Sequence, residues 1–346
     1  PYAQMPGVER KLLSLDLFTA AHLTNAPVFV YIHGGAWVGG DKSGGLIDIR
    51  PQLSAFFVAR GFVVASINYR LAPAVKHPAQ VQDAARAVAW IHDNAARYGG
   101  NPAKLFICGH SAGAHMASLL ATDERWLKEA GKDVSILRGI ISLDTAAHDL
   151  VPTARFAGRG GRATAFELAF GSDLAVLRDA SPLHHIAAGK RIPPHMLVFA
   201  ADMPPGSVNK DKREAAMAEA LRQAGTRAEV YAASFHSHYT VMADLGHEGD
   251  PVAAVMMTFM QSVLNNAAIN PPLGTQHILK PDESSARRRE DIAVRSVQRL
   301  LQLLDKDRDA AVSRAEAQSV PGGYARYFPE FDKNGDGRIT VEEQRK

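Results

Sequence analysis

The 346-residue chain is longer than one ordinary domain, 46% hydrophobic and 22% charged, with a net charge of only +3. That composition excludes a disordered or fibrous chain and supplies no strong basic field for nucleic acid. The one basic run, Arg287-Arg288-Arg289, stands beside Glu290 and Asp291 and reads as a solvated helix start. Cys108 is the single cysteine, so no intramolecular disulfide can form. No uninterrupted run of about 18 apolar residues marks a membrane span. The start at Pro1, without Met or a basic and apolar signal pattern, is compatible with a leader removed from this chain.

Taken in chain order, short apolar segments bounded by turn residues alternate with stretches of helical period. This predicts an α/β fold, a mainly parallel sheet with helices on both faces. Strands are expected at 12–18, 28–33, 62–68, 105–109, 139–143, 196–201 and 228–233. Helices are expected at 78–98, stopped by Gly99-Gly100, and at 112–122, 210–224 and 251–266. Residues 145–195 are too long for a simple crossover and are expected to form a lid or cap with a helical piece at 163–170. The expected division is one large domain (1–267), a proline-bearing linker (268–285) and a small, charged, all-helical unit (286–346).

The strand at 105–109 runs straight into the helix at 112–122 through Gly109-His110-Ser111-Ala112-Gly113. This is G-x-S-x-G in the strand–turn–helix context that gives the motif its meaning. Side chains at the two glycines would collide with the neighbouring strand and helix, so the corner holds Ser111 outward as a nucleophile. Such a serine needs a base, and the base needs a carboxylate, in the order Ser, acid, His. Asp202 closes the strand "HMLVFAAD" and is the expected acid, with Asp211 second. In "SFHSHYTV", His238 is preferred over His236 as the base. A metal site at this His-x-His lacks the further ligands at helical spacing that zinc requires.

Backbone N–H donors for a tetrahedral oxyanion are expected from Ala112 and from the loop Gly34-Gly35-Ala36. Trp37 beside that loop lies either in the core or against substrate, whereas Trp90 and Trp126 read as core. His115, Asp144, His148, His184 and His185 follow motifs or predicted strands, where they either border the pocket or, on the favoured reading, are structural or exposed.

The motifs "HGGAW" (33–37), "GDKS" (40–43), "NYRLAP" (68–73), "HPAQVQDAARAVAWI" (77–91), "GHSAGAH" (109–115) and "SHYTVMADLG" (237–246) resemble the α/β-hydrolase esterases and lipases of hormone-sensitive-lipase type. Acetyl-xylan-esterase-like and kynurenine-formamidase-like members belong to the same resemblance, which covers roughly residues 2–266. It implies a serine carboxylic ester hydrolase with the triad Ser111, Asp202 and His238, no cofactor for catalysis, and a short-acyl substrate such as an acetyl or feruloyl ester on polysaccharide. An aryl formamidase is the alternative chemistry, and a calcium-dependent binding protein with an inert hydrolase domain the alternative class. Ala36 departs from the third glycine that such lipases often carry, and Pro204-Pro205 after Asp202 departs from a simple helix start.

In the C-terminal unit, "DKNGDGRITVEE" (332–343) fits a twelve-residue calcium loop. Asp332, Asn334 and Asp336 stand at alternate positions, Gly337 at the sixth, Arg338 at the seventh through its carbonyl, and Glu343 at the twelfth. "DKDRDAAVSRAE" (305–316) repeats it with Asp305, Asp307, Asp309, Ala311, Ser313 and Glu316. Ala310 stands where glycine is wanted and must carry a positive φ there or distort the loop, at about 1 kcal/mol. The unit resembles an EF-hand pair binding Ca²⁺, and weak calcium sites suit a secreted or periplasmic bacterial enzyme. Oligomeric state is not legible.

Overall fold

The computed structural model describes residues 1–44, 48–156, 163–201, 210–234, 236–247, 249–266, 290–294, 297–298, 300–301, 304–318 and 328–345. Its centre is a seven-stranded sheet formed by β1 (Leu15–Phe18), β2 (Ala26–Ile32), β3 (Val63–Ile67), β4 (Gly100–His110), β5 (Leu137–Leu143), β6 (His195–Ala200) and β7 (Ala228–Ala233). The strand order is β1-β3-β2-β4-β5-β6-β7. Only β1 runs antiparallel, pairing Leu15 with Ile67, while the other pairs are parallel, with Val28 opposite both Val63 and Leu105.

Both faces of the parallel strands are covered, which is why they read as near-continuous apolar runs. The alternation along β2 sorts the layers. Val28, Val30 and Ile32 share one apolar cluster with Val81, Val88 and Ile91 of α2 (Ala79–Asn94) and Met116, Leu119 and Leu120 of α3 (Ala112–Thr122). Phe29 and Tyr31 face the opposite layer, with Leu53 and Phe57 of α1 (Arg50–Val58) and Met256, Phe259 and Met260 of α9 (Pro251–Leu264). Leu197 of β6 packs on Met217 and Leu221 of α7 (Lys210–Gln223).

All seven expected strands are present. β4 begins earlier than expected because Gly100 pairs with Ala26 across a register shift. Helix α1 was not expected, since "RPQLSAFFV" has no strong apolar stripe and shows Pro51 rather than a side-chain cap at its start. The expected linker, 268–285, lies outside the described residues. Among the described residues, no helix is long and apolar enough to cross a membrane.

Strand order places the site. β2 and β4 are neighbours, and the connections leaving their carboxyl ends turn to opposite sides of the sheet, so a crevice opens between those ends. The insertion after β5 carries α5 (Ala165–Phe170) and α6 (Leu174–Asp179), and packs back beside this edge. There Phe170 meets Trp37, with centroids 4.8 Å apart, and His115.

The region after β3 is fixed by a buried ion cluster. Asp83 accepts from Arg70 through Nε at 2.6 Å and Nη2 at 2.8 Å, from the Arg70 backbone N–H at 3.1 Å and from Arg86 at 3.0 Å. Asp83→Ala strands the half-buried Arg70 charge and is expected to lower unfolding free energy by about 3 kcal/mol. Urea unfolding checks this, and a change below about 1 kcal/mol would contradict it.

Candidate active site

Three strand ends supply the site. At the end of β4, Ser111 adopts φ 56° and ψ −115° and opens α3. A Cβ on Gly109 would lie 2.1 Å from the Gly113 carbonyl oxygen, and one on Gly113 would lie 2.1 Å from that of Ile32. Neither neighbour is a movable side chain, so the helix can approach β2 this closely only with glycine at both places. The Ser111 N–H is anchored on the Leu143 carbonyl at 2.9 Å. The strained serine conformation costs on the order of 1–3 kcal/mol and is held by this packing.

At the end of β5, Asp144 also has a positive φ, 53°, and is fully buried. Its N–H donates to the Val198 carbonyl at 2.7 Å, and its Oδ1 accepts from the Ala200 N–H at 2.8 Å. Its other oxygen, Oδ2, accepts from His238 Nδ1. With Nδ1 protonated against the carboxylate, Nε2 is the acceptor, and the Ser111 hydroxyl lies 3.1 Å from it. Serine, imidazole and carboxylate are thus joined in a line.

The structure brings Ser111 and His238 together, and the carboxylate that meets His238 is Asp144, which the sequence reading takes as bordering the pocket, structural or exposed rather than as the acid. Asp202 lies outside the described residues, and Asp211 is exposed on α7. The sequence carries a signal for Asp144, since "GIISLD" closes an apolar strand with an aspartate at the carboxyl edge. His236 does not face Ser111. It is buried with Asp244 and Asp250, its Nε2 3.9 Å from Asp244 Oδ2, and Asp250 caps α9 by accepting from the Val252 and Ala253 N–H groups.

His110, the variable residue of the motif, carries a role that the spacing does not reveal. Its Nε2 donates to the His238 carbonyl at 2.8 Å, and the two rings lie 4.8 Å apart. The glycine loop is adjacent to both, since a Cβ on Gly34 would lie 2.9 Å from His110 Nδ1 and 3.2 Å from Ser111 Cβ. Gly35, Ala36 and Trp37 all have positive φ, 112°, 52° and 60°, so Ala36 keeps the conformation that a third glycine would give. Tyr69 supports the loop from below, its hydroxyl donating to the His33 carbonyl at 3.0 Å while its ring stacks on His33. Trp37 is buried among His115, Phe166 and Phe170.

The other candidate histidines make structural contacts. His115 Nε2 donates to the Ala180 carbonyl at 2.6 Å and ties α3 to the insertion. His148 pairs with buried Glu214 at 2.8 Å, and exposed His184 with Asp149 at 3.1 Å. His185 donates to the Asp179 carbonyl at 2.7 Å.

In the C-terminal unit, β8 (Val312–Ser313) and β9 (Arg338–Ile339) pair antiparallel and join the two acidic loops. Oxygens of Asp305, Asp307 and Asp309 lie within 4.8 Å of one another, as do those of Asp332, Asp336 and Glu343. Ala310 and Gly337 both have positive φ, 64° and 82°. Asp332 Oδ1 is buried without a hydrogen-bond partner among the described residues, so the second loop's donor set fits a hard cation. The Arg338 side chain reaches across to Asp309 at 2.5 Å, placing a positive charge on the first loop. Ala311 is buried, and Ser313 caps its helix against Glu316.

The BD-FAE family model matches residues 15–144, from β1 through Ser111 to Asp144. Esterase LipQ of Mycobacterium tuberculosis is 36% identical over 158 residues, 44% of this chain and 33% of LipQ. The chain thus spans about a third of that relative's length. Esterase B of Lactobacillus rhamnosis superposes with a TM-score of 0.61 at 20% identity, over 77% of this chain and 85% of that one. The fold is the α/β-hydrolase fold. Thermogutta terrifontis esterase 2, in a structure phosphonylated by sarin, shares it at a TM-score of 0.54 and 22% identity, over 76% of this chain and 96% of that chain.

Burial lowers the pKa of His33 to about 4, of His115 to about 3 and of His195 to about 4. Each binds a proton more readily when unfolded, so their stabilisation is complete above pH 6.5 and is lost as pH falls from there towards 4. The expected slope is about 1.4 kcal/mol per pH unit for each histidine. His115→Gln removes one share of it in urea titrations at pH 7, 6 and 5, and an unchanged slope would contradict the assignment.

Proposed function

We propose that the chain is a serine carboxylic ester hydrolase working through an acyl-enzyme. The observation that carries this reading is the imidazole of His238 held between the Ser111 hydroxyl and the buried Asp144 carboxylate. His238 Nε2 takes the Ser111 proton as Oγ attacks the ester carbonyl carbon, and Asp144 holds the Nδ1 proton and balances the imidazolium. N–H groups of Gly35, Ala36 and Ala112 receive the negative oxygen. His238 then gives its proton to the leaving alcohol. Water, deprotonated by the same nitrogen, attacks the acyl carbon and releases the acid and Ser111. Relatives named as esterases and a sarin-phosphonylated structural neighbour support this chemistry.

Short-acyl esters are the proposed substrates, including acetyl or feruloyl groups on polysaccharide, with aryl formamides as the competing class. We further infer that the C-terminal loops bind calcium. Asp332, Asn334, Asp336 and Glu343, with the Arg338 carbonyl, form the stronger set. Asp305, Asp307, Asp309, Ser313 and Glu316, with the Ala311 carbonyl, form a weaker one, because Arg338 already pairs with Asp309. Calcium supplies no step of the hydrolysis. Loops of modest affinity suit a calcium-rich exterior, and so a secreted or periplasmic enzyme.

The test is hydrolysis of p-nitrophenyl acetate through decanoate, beside an aryl formamide, by the wild type and Ser111→Ala. Short esters are expected to turn over fastest, and Ser111→Ala to lose at least about 10³-fold in kcat with fluorophosphonate labelling abolished. Absence of both turnover and label in the wild type would overturn the reading.

A further inference from the structure

We propose that Phe331, in the C-terminal unit, is a positioning residue for His238, so that a cation in the second acidic loop controls how well the imidazole is held. This deepens the hydrolase and calcium readings above and rests on both. Tyr239 follows His238 directly and is buried, and its ring meets the Phe331 ring edge-on, with centroids 5.4 Å apart and an interplanar angle of 89°. His238 and Tyr239 share a planar peptide unit, so a displacement of the Tyr239 backbone under its packed ring is carried to the His238 carbonyl. The His238 carbonyl in that unit is the atom that His110 holds at 2.8 Å.

On the other side, Phe331 directly precedes Asp332, the first acid of the loop. Its carbonyl accepts from Gln344 Nε2 at 2.7 Å, and Gln344 follows Glu343, the last acid. Both ends of the loop therefore converge on Phe331. The carboxylates of Asp332, Asp336 and Glu343 repel one another within 4.8 Å, and a cation reverses that repulsion. Phe331 adjoins Asp332 in the chain and takes the response through one peptide unit. The surroundings are packed rather than tethered, since Leu300, Leu304, Phe328, Phe331 and Ile339 share one apolar cluster with Tyr239 and with Met256 and Met260 of α9. Close-packed contacts of this kind transmit small displacements instead of absorbing them. A shift of about 1 Å at a catalytic group can cost on the order of 10²-fold in rate.

The experiment uses the full chain with calcium or with chelator. Calorimetric titration reads calcium binding, fluorophosphonate labelling reads Ser111 reactivity, and steady-state kinetics separate kcat from KM. In the wild type, calcium is expected to raise labelling rate and kcat about tenfold with KM within about twofold. Phe331→Leu should still bind calcium but lose most of that response, and Phe331→Tyr, which keeps the ring, should retain it. Tyr239→Leu tests the other side of the contact and should lose the response even if Phe331→Leu disrupts the unit. An equal response in wild type and Phe331→Leu, or calcium binding with no change in labelling, would overturn the coupling. No calcium heat would instead remove the calcium reading, and no label the hydrolase reading.

Discussion

His238 is held from both ring nitrogens, and the two partners come from different strand ends. Ser111 Oγ lies 3.1 Å from Nε2, while Asp144 Oδ2 takes Nδ1. Neither partner can adjust freely, because both sit at positive φ, 56° for Ser111 and 53° for Asp144. The conformations persist because surrounding contacts outnumber them. Gly109 and Gly113 let α3 press against β2, and the Ala200 N–H pins the carboxylate oxygen that His238 does not use. A buried carboxylate without those donors would be neutralised or expelled. The sheet thus fixes serine and acid to one another through β4, β5 and β6, and the histidine is brought to them by a loop.

That loop is also held by contacts at His238 and Tyr239. His110 holds the His238 carbonyl at 2.8 Å, and the Tyr239 ring rests on Phe331 at 5.4 Å. The first contact comes from the nucleophile corner and the second from the acidic loops, so nucleophile and C-terminal unit meet on adjacent residues. Trp37 and Phe170 close the opposite side, where the insertion packs against the glycine loop. His33 and His115, neutral in their burial, act in these walls as hydrogen-bond donors rather than as proton carriers.

The fold was legible because both physical signals were strong. Apolar runs such as "VFVYI" mark strands covered on both faces, and G-x-S-x-G with a preceding strand and following helix marks the corner. Ser111 and His238 followed from order and context. The acid was not legible, because "GIISLD" and "HMLVFAAD" are both apolar runs closed by an aspartate and nothing in their spacing chooses between Asp144 and Asp202. Register holds Asp144 at the imidazole, since it donates to Val198 and accepts from Ala200, two residues of the neighbouring strand. His110 was hidden for a related reason, as the variable place in a motif carries no pattern. The Tyr239–Phe331 contact joins residues 92 positions apart by roughly counting along the chain, and no local periodicity could announce it. Ala36 and Ala310 break a glycine rule in sequence and yet keep positive φ in the fold, and at the exposed Ala310 the N–H is held by Asp305 Oδ2 at 3.0 Å.

The pairing of His238 with Asp144 is tested most directly by measuring kcat on one short ester for Asp144→Asn and Asp202→Asn side by side, with circular dichroism to verify folding. Asp144→Asn should fall by about 10³- to 10⁴-fold, because the asparagine no longer fixes the imidazole tautomer, and Asp202→Asn should stay within about tenfold of the wild type. The reverse pattern, a folded Asp144→Asn that keeps its rate while Asp202→Asn loses it, would contradict the assignment.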